Sequence, residues 1–152
     1  MVLLAETPKR IAGLTADLSP AQLRANPEPE EWSANDVLAH LRSCADVWGA
    51  GIMTIVAEDE PTMRAVNPRT WIKTTNYLNL EFRPSLRCFI KQRADLLAVL
   101  ESLPRGSWSR NATATGAGAP LEWTVLSYAD RLARRERQHL TQFEKIVGML
   151  QM

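Results

Sequence analysis

Two histidines occur in these 152 residues, and both stand where a helix of a bundle would place leucine. His40 lies in Asp36-Val37-Leu38-Ala39-His40-Leu41-Arg42-Ser43-Cys44, and His139 in Arg135-Glu136-Arg137-Gln138-His139-Leu140. An ionisable group on an apolar stripe costs on the order of several kcal/mol unless a metal, a carboxylate or a ligand pairs with it. His40 and Cys44 are one helical turn apart, and Glu136 and His139 are neighbours on one face. If the two helices pack face to face, these four side chains converge on one volume. Bundles build metal sites from facing helices in this way, Glu-x-x-His pairs included. Neutral imidazole and thiolate suit zinc, nickel or another late first-row ion. The plainer reading keeps each histidine as a hydrogen-bonded core residue and Cys44 as an inert buried thiol. Glu136 would then pair with Arg135, Arg137 or Lys145 at the surface.

The elements that must position these residues are helices. Ile11, Leu14 and Leu18 give a helical spacing from about Thr7 to Asp17, stopped by Ser19-Pro20. The run from Asn26 to Glu31 is an extended linker, because each of its prolines pushes the preceding residue out of the α region. Trp32-Ser33-Ala34-Asn35-Asp36 is a start signal: Ser33 caps, Asp36 answers it as a capping box, and Trp32 and Val37 form a hydrophobic staple. Val37, Leu41, Cys44, Trp48, Ile52 and Ile55 continue that helix until it fades near Glu58-Asp59-Glu60-Pro61. Residues 59–83 make a long connection of weak pattern, helical in part around Trp71 to Leu80. The third helix opens at Pro84, carries Leu86, Phe89, Ile90, Leu96, Leu97, Leu100 and Leu103, and stops at Pro104-Arg105-Gly106. A Ser/Thr/Gly-rich segment follows, with Thr113-Ala114-Thr115 briefly extended. Pro120 then opens a last helix reaching about Met149, whose stripe Val125, Ala129, Leu132, Glu136, His139, Phe143, Ile146 and Leu150 steps by fours and threes. The architecture is all-α, a single four-helix-bundle domain over 1–152.

Composition narrows the partners. Apolar residues at 45% and charged residues at 23% are ordinary for a globular chain, and a formal charge of +1 gives no steering toward nucleic acid. Arg131, Arg134, Arg135 and Arg137 are interleaved with Asp130, Glu136 and Glu144, which reads as a solvated face or an interface edge. No run approaches the roughly 18 apolar residues of a membrane span, and Met1-Val2-Leu3-Leu4-Ala5 is too short for a signal peptide. With two cysteines, Cys44 and Cys88, and no secretory signal, the expected compartment is the reducing cytoplasm. Gly116-Ala117-Gly118-Ala119-Pro120 lacks the lysine and spacing of a phosphate loop and reads as a flexible linker. Trp71 and Trp108 fall on loops, where they either rim a pocket or pack over the bundle end.

Trp32-Ser33, then Asp36-Val37-Leu38-Ala39-His40-Leu41, then Arg135-Glu136-Arg137-Gln138-His139-Leu140-Thr141-Gln142, together resemble the DinB-like superfamily. The likeness runs from Thr7 to Val147. It implies a four-helix bundle, often a homodimer, with a long connection between its second and third helices. It also implies one divalent metal ion (zinc, nickel, manganese or iron) on three histidines, one in the second helix and two at i, i+4 in the last. His40 and His139 match two of these ligands. The third falls on Arg135, whose guanidinium stays protonated and has no lone pair to give. Either another donor, Cys44 or Glu136, completes the set, or the ion is lost and Arg135 binds an anion in the same cleft.

Three functions follow. The first is a metal-dependent enzyme of the thiol-dependent transferase, isomerase or hydrolase kind that the resemblance implies, with a small-molecule substrate entering under residues 59–83. The second is a non-catalytic bundle that binds a small anionic ligand. The third is a dimeric interaction module whose histidines are structural.

Overall fold

The computed structural model describes residues 2–116 and 118–151. Four long helices form a ring: α1 (Val2–Thr15), α3 (Ala34–Ala57), α5 (Phe82–Ser102) and α6 (Val125–Leu150). α6 packs on α3 and α1, and α5 closes the ring against both. Two short helices, α2 (Pro20–Arg24) and α4 (Pro68–Trp71), lie in the connections. So do the strands β1 (Thr62–Arg64), β2 (Asn111–Thr115) and β3 (Leu121–Thr124). They form one sheet ordered β1-β2-β3, the first pair parallel and the second antiparallel. None of the described helices is long and apolar enough to cross a membrane.

α3 begins as its sequence dictates. Ser33 Oγ accepts from the Asp36 N–H at 3.1 Å and Asp36 Oδ2 accepts from the Ser33 N–H at 3.0 Å. All six stripe residues from Val37 to Ile55 are buried. Pro84 stands in the first turn of α5, which starts two residues earlier.

Three boundaries differ from expectation. The last helix starts at Val125 and not at Pro120, because Leu121–Thr124 pairs with β2 and Thr124 caps the helix by accepting from Ser127 N–H. Gly116 and Gly118, at φ of 92° and 83°, turn the chain between β2 and β3, conformations that favour glycine; Ala117, within the expected linker, lies outside the described residues. Ser19-Pro20 does more than stop a helix: it opens α2 with its own capping box, Ser19 with Gln22. α1 begins before Thr7 because the Leu4 side chain is a core residue, 1% exposed. Pro8 therefore sits mid-helix, without the N–H that would reach the Leu4 carbonyl.

The core falls into two apolar clusters. One gathers Ile11, Leu38, Leu41, Phe89, Leu140 and Phe143; the other gathers Leu4, Trp48, Ile52, Leu96, Leu100 and Leu132. Along α1, α5 and α6 the change from one to the other passes through buried polar residues: Thr7, Arg93 and Glu136. A polar layer therefore crosses the bundle about one helical turn from His139.

Candidate functional site

His40 comes from the second turn of α3 and is 5% exposed. His139 comes from the middle of α6 and is half-buried. Their rings meet edge to face, with centroids 4.9 Å apart. Trp32, held just ahead of the α3 cap, stacks on His139 at 6.3 Å and leans on His40 at 5.2 Å. The structure thus brings the two histidines together and adds an aromatic wall. His139 Nδ1 lies 2.9 Å from Gln142 Oε1, so it carries the proton and leaves Nε2 the lone pair. That Nε2 is buried and has no hydrogen-bond partner.

Both imidazoles are neutral near pH 7. Burial lowers the His40 pKa to about 4, helped by His139, Arg69 and Arg135. His139 is lowered too, chiefly by burial and then by Arg135 and Arg69, against the Gln142 hydrogen bond. Cys44 Sγ is 3.5 Å from His40 Nε2. Burial raises that thiol to about 12, outweighing the pull of Arg135, so Cys44 is not a ready thiolate.

Glu136 is not a surface partner of Arg135, Arg137 or Lys145. It is 0% exposed and makes a two-point ion pair with Arg93, which is 2% exposed, with Arg93 Nη1 donating to Oε1 at 2.7 Å. Arg93 Nη1 also donates to the Leu4 carbonyl at 2.9 Å, supplying the bond that Pro8 cannot make. The reading of the sequence missed Arg93, although the steps Phe89, Arg93, Leu96 and Leu100 put it on the buried stripe of α5. Arg69 was missed as well. It rides on α4, and its guanidinium lies 5.8 Å over the Trp32 ring. Two cavities flank that pair. One of about 370 Å³ is lined by Trp32, Asp36, His40, Arg69, Ile72 and Leu78. The other, about 340 Å³, is lined by Glu30, Glu31, Trp32, Arg69, His139 and Gln142. Arg135 makes no hydrogen bond or ion pair among the described residues; it lines a neighbouring cavity of about 550 Å³ with Arg131 and Arg134 and acts on the histidines by its field.

A family profile of the DinB superfamily matches residues 3–143. The chain belongs to the DinB superfamily. Among curated proteins none matches it. Among solved structures it is similar to YfiT from Bacillus subtilis, described as a probable metal-dependent hydrolase with an unusual four-helix bundle topology. The TM-score is 0.74 at 17% identity, over 96% of this chain and 84% of that one. The likeness establishes the fold.

A metal held by three protein ligands does not fit the residues present. Among the described residues no group of three or more His, Cys, Asp or Glu side chains is placed to hold an ion. Glu136 is committed to Arg93, and Arg135 puts a cation where the third imidazole would stand. The chemistry available is that of two neutral imidazoles in a positive field.

Proposed function

We propose that the chain is a small-anion-binding member of the DinB superfamily, with Arg69, His40 and His139 as the ligand-binding groups. The observation that carries this is electrostatic. Two imidazoles kept neutral chiefly by burial, and further by nearby guanidiniums, add no charge of their own, and neither Arg69 nor Arg135 forms an ion pair among the described residues. Asp36 lines the His40 side with its carboxylate turned to the α3 cap, and Glu30 and Glu31 line the His139 side, so the anion's place is at Arg69 on the His40 side. A carboxylate would sit on Arg69, with its organic body against Trp32, Ile72 and Leu78. Charge-assisted hydrogen bonds of this kind contribute about 1.5–3 kcal/mol each.

One observation favours a rival reading, a metal-dependent enzyme like the one YfiT is described as: the unpartnered, buried Nε2 of His139 beside His40. Calorimetric titration of metal-free protein separates the two. Benzoate or phosphate should bind saturably, and Arg69→Met should weaken that binding by about 10- to 100-fold, the loss of one such bond. Stoichiometric uptake of zinc or nickel with no response to either anion would overturn the proposal in favour of the rival.

A further inference from the structure

Asp46 stands six residues after His40, about 240° further round α3, and so faces away from the histidines. It opens onto a different cavity of about 560 Å³ between α3 and α5. Ala45, Gly49 and Ala50 are too small to fill the space between these helices, and Leu96 and Val99 of α5 line the facing wall. Trp71 and Tyr77, from the connection, close one side.

Asp46 is the polar centre of this cavity. Its Oδ2 accepts from Tyr77 Oη at 2.5 Å and from Trp71 Nε1 at 3.1 Å, and its Oδ1 accepts from Gln92 Nε2 at 2.7 Å. All three donors are neutral. Tyr77 stays a phenol, because burial and then Asp46 raise its pKa to about 12. Asp46 forms no ion pair among the described residues. The other charges of the lining are matched, Arg93 by Glu136 and Asp95 by Lys91, while Arg42 lies over the Tyr77 ring at 3.9 Å and donates to Ser85. A carboxylate has about four lone-pair sites, of which three are used. The result is a mostly apolar cavity of ligand size with one fixed carboxylate that forms no ion pair among the described residues and has one free acceptor site.

We propose that this cavity binds a small apolar molecule carrying a protonated amine, with the ammonium on Asp46 and the body between Trp71, Leu96 and Val99. Trp71, in the cavity wall, adds attraction for a cation at its ring face and none for an anion. The site is independent of the anion site. If the three donors served only to pin the connection, no ligand would be favoured by charge.

Three compounds of one shape test it by calorimetric titration of the full chain: 2-phenylethylamine, 2-phenylethanol and 3-phenylpropionate. The amine should bind saturably, at least about tenfold tighter than the alcohol, with a change in tryptophan fluorescence and no matching signal from the acid. Asp46→Asn keeps an acceptor for Trp71 or Tyr77 and should weaken the amine by about tenfold or more. Gly49→Leu fills the cavity from a position where a Cβ meets nothing within 4 Å. It should abolish amine binding while the circular dichroism stays native, and it decides the matter if Asp46→Asn does not fold. Equal affinity for amine and alcohol, amine binding that survives Gly49→Leu, or no saturable binding in the millimolar range would overturn the proposal. Arg69→Met should leave amine binding intact, so loss of either site can be told from loss of the other.

Discussion

Arg93→Met should be among the most destabilising single substitutions in this protein, and the structure sets the size of the effect. It leaves the Glu136 carboxylate fully buried without its cation. Breaking one side of a buried pair costs about 3–5 kcal/mol. It also removes the donor that reaches the Leu4 carbonyl, a bond that Pro8 cannot replace, and an orphaned buried carbonyl costs about 1–3 kcal/mol. The sum, about 4–8 kcal/mol, is a large share of the roughly 5–15 kcal/mol that holds a domain folded. At about 2–4 °C per kcal/mol for a chain of this size, Tm should fall by roughly 10–30 °C. Urea unfolding followed by circular dichroism gives the free energy directly. Glu136→Leu alone should also cost about 3–5 kcal/mol, while Arg93→Met with Glu136→Leu should lose far less than the two singles combined. Pro8→Ala, which restores the backbone donor, should recover about 1–3 kcal/mol in the Arg93→Met background and less in the wild type. A single-variant cost below about 1 kcal/mol, or an additive cycle, would show that these contacts do not carry the polar layer.

Four further outcomes are expected. The His40 pKa, about 4 against an ordinary 6.5, means that the unfolded chain takes up this proton first as acid is added. Stability should be full above about pH 6.5 and fall by up to about 3 kcal/mol as pH drops toward 4, and urea titrations of His40→Gln should lack this component. Arg135→His adds an imidazole one turn from His139 and removes a cation that acts on both histidines, so calorimetry should detect divalent-ion binding that the wild type lacks or makes weakly; an unchanged titration would mean that position 135 does not face the pair. Gly51→Ala places a Cβ 2.8 Å from the Tyr128 ring, which is stacked on Trp123, and should lower Tm through overpacking of about 1–3 kcal/mol. Gly49→Ala, with open space, should raise it, since alanine gains about 1 kcal/mol over glycine inside a helix.

The parts of the site that were legible in the sequence rest on local rules. Ser33 and Asp36 determine where α3 starts, that start determines which face carries His40, and the four-three stripe of α6 turns His139 toward it. What was missed depends on partners distant in sequence. Arg93 follows Lys91 and Gln92 and looks like a solvated residue; only Glu136, 43 positions away, makes it a core residue. Leu121–Thr124 followed Pro120 and looked like a helix start, because nothing local reveals that β2 will pair with it. Arg69 sits on a four-residue helix too short to show a period.

The weak pattern of the connection has a physical cause of its own. A segment that covers a helix with few apolar side chains must be held by hydrogen bonds, and α3 supplies several of them, beside those from Arg24 and β2. Asn35 Nδ2 donates to the Leu78 carbonyl at 3.3 Å, and Ser43 Oγ donates to the Pro68 carbonyl at 2.6 Å. Asp46 accepts from Trp71 and Tyr77. Asn35, Ser43 and Asp46 are spaced by eight and three, so they share a side of α3 distinct from the apolar stripe. Asn35 and Ser43 are buried for this reason, at 3% and 0% exposure, although neither belongs to the core. α3 therefore specifies two surfaces, an apolar one that builds the bundle and a polar one that seats the connection. Because Arg69 and Trp71 lie two residues apart on α4, the second surface sets the position of both: Arg69 at the histidine cavities and Trp71 at the Asp46 cavity.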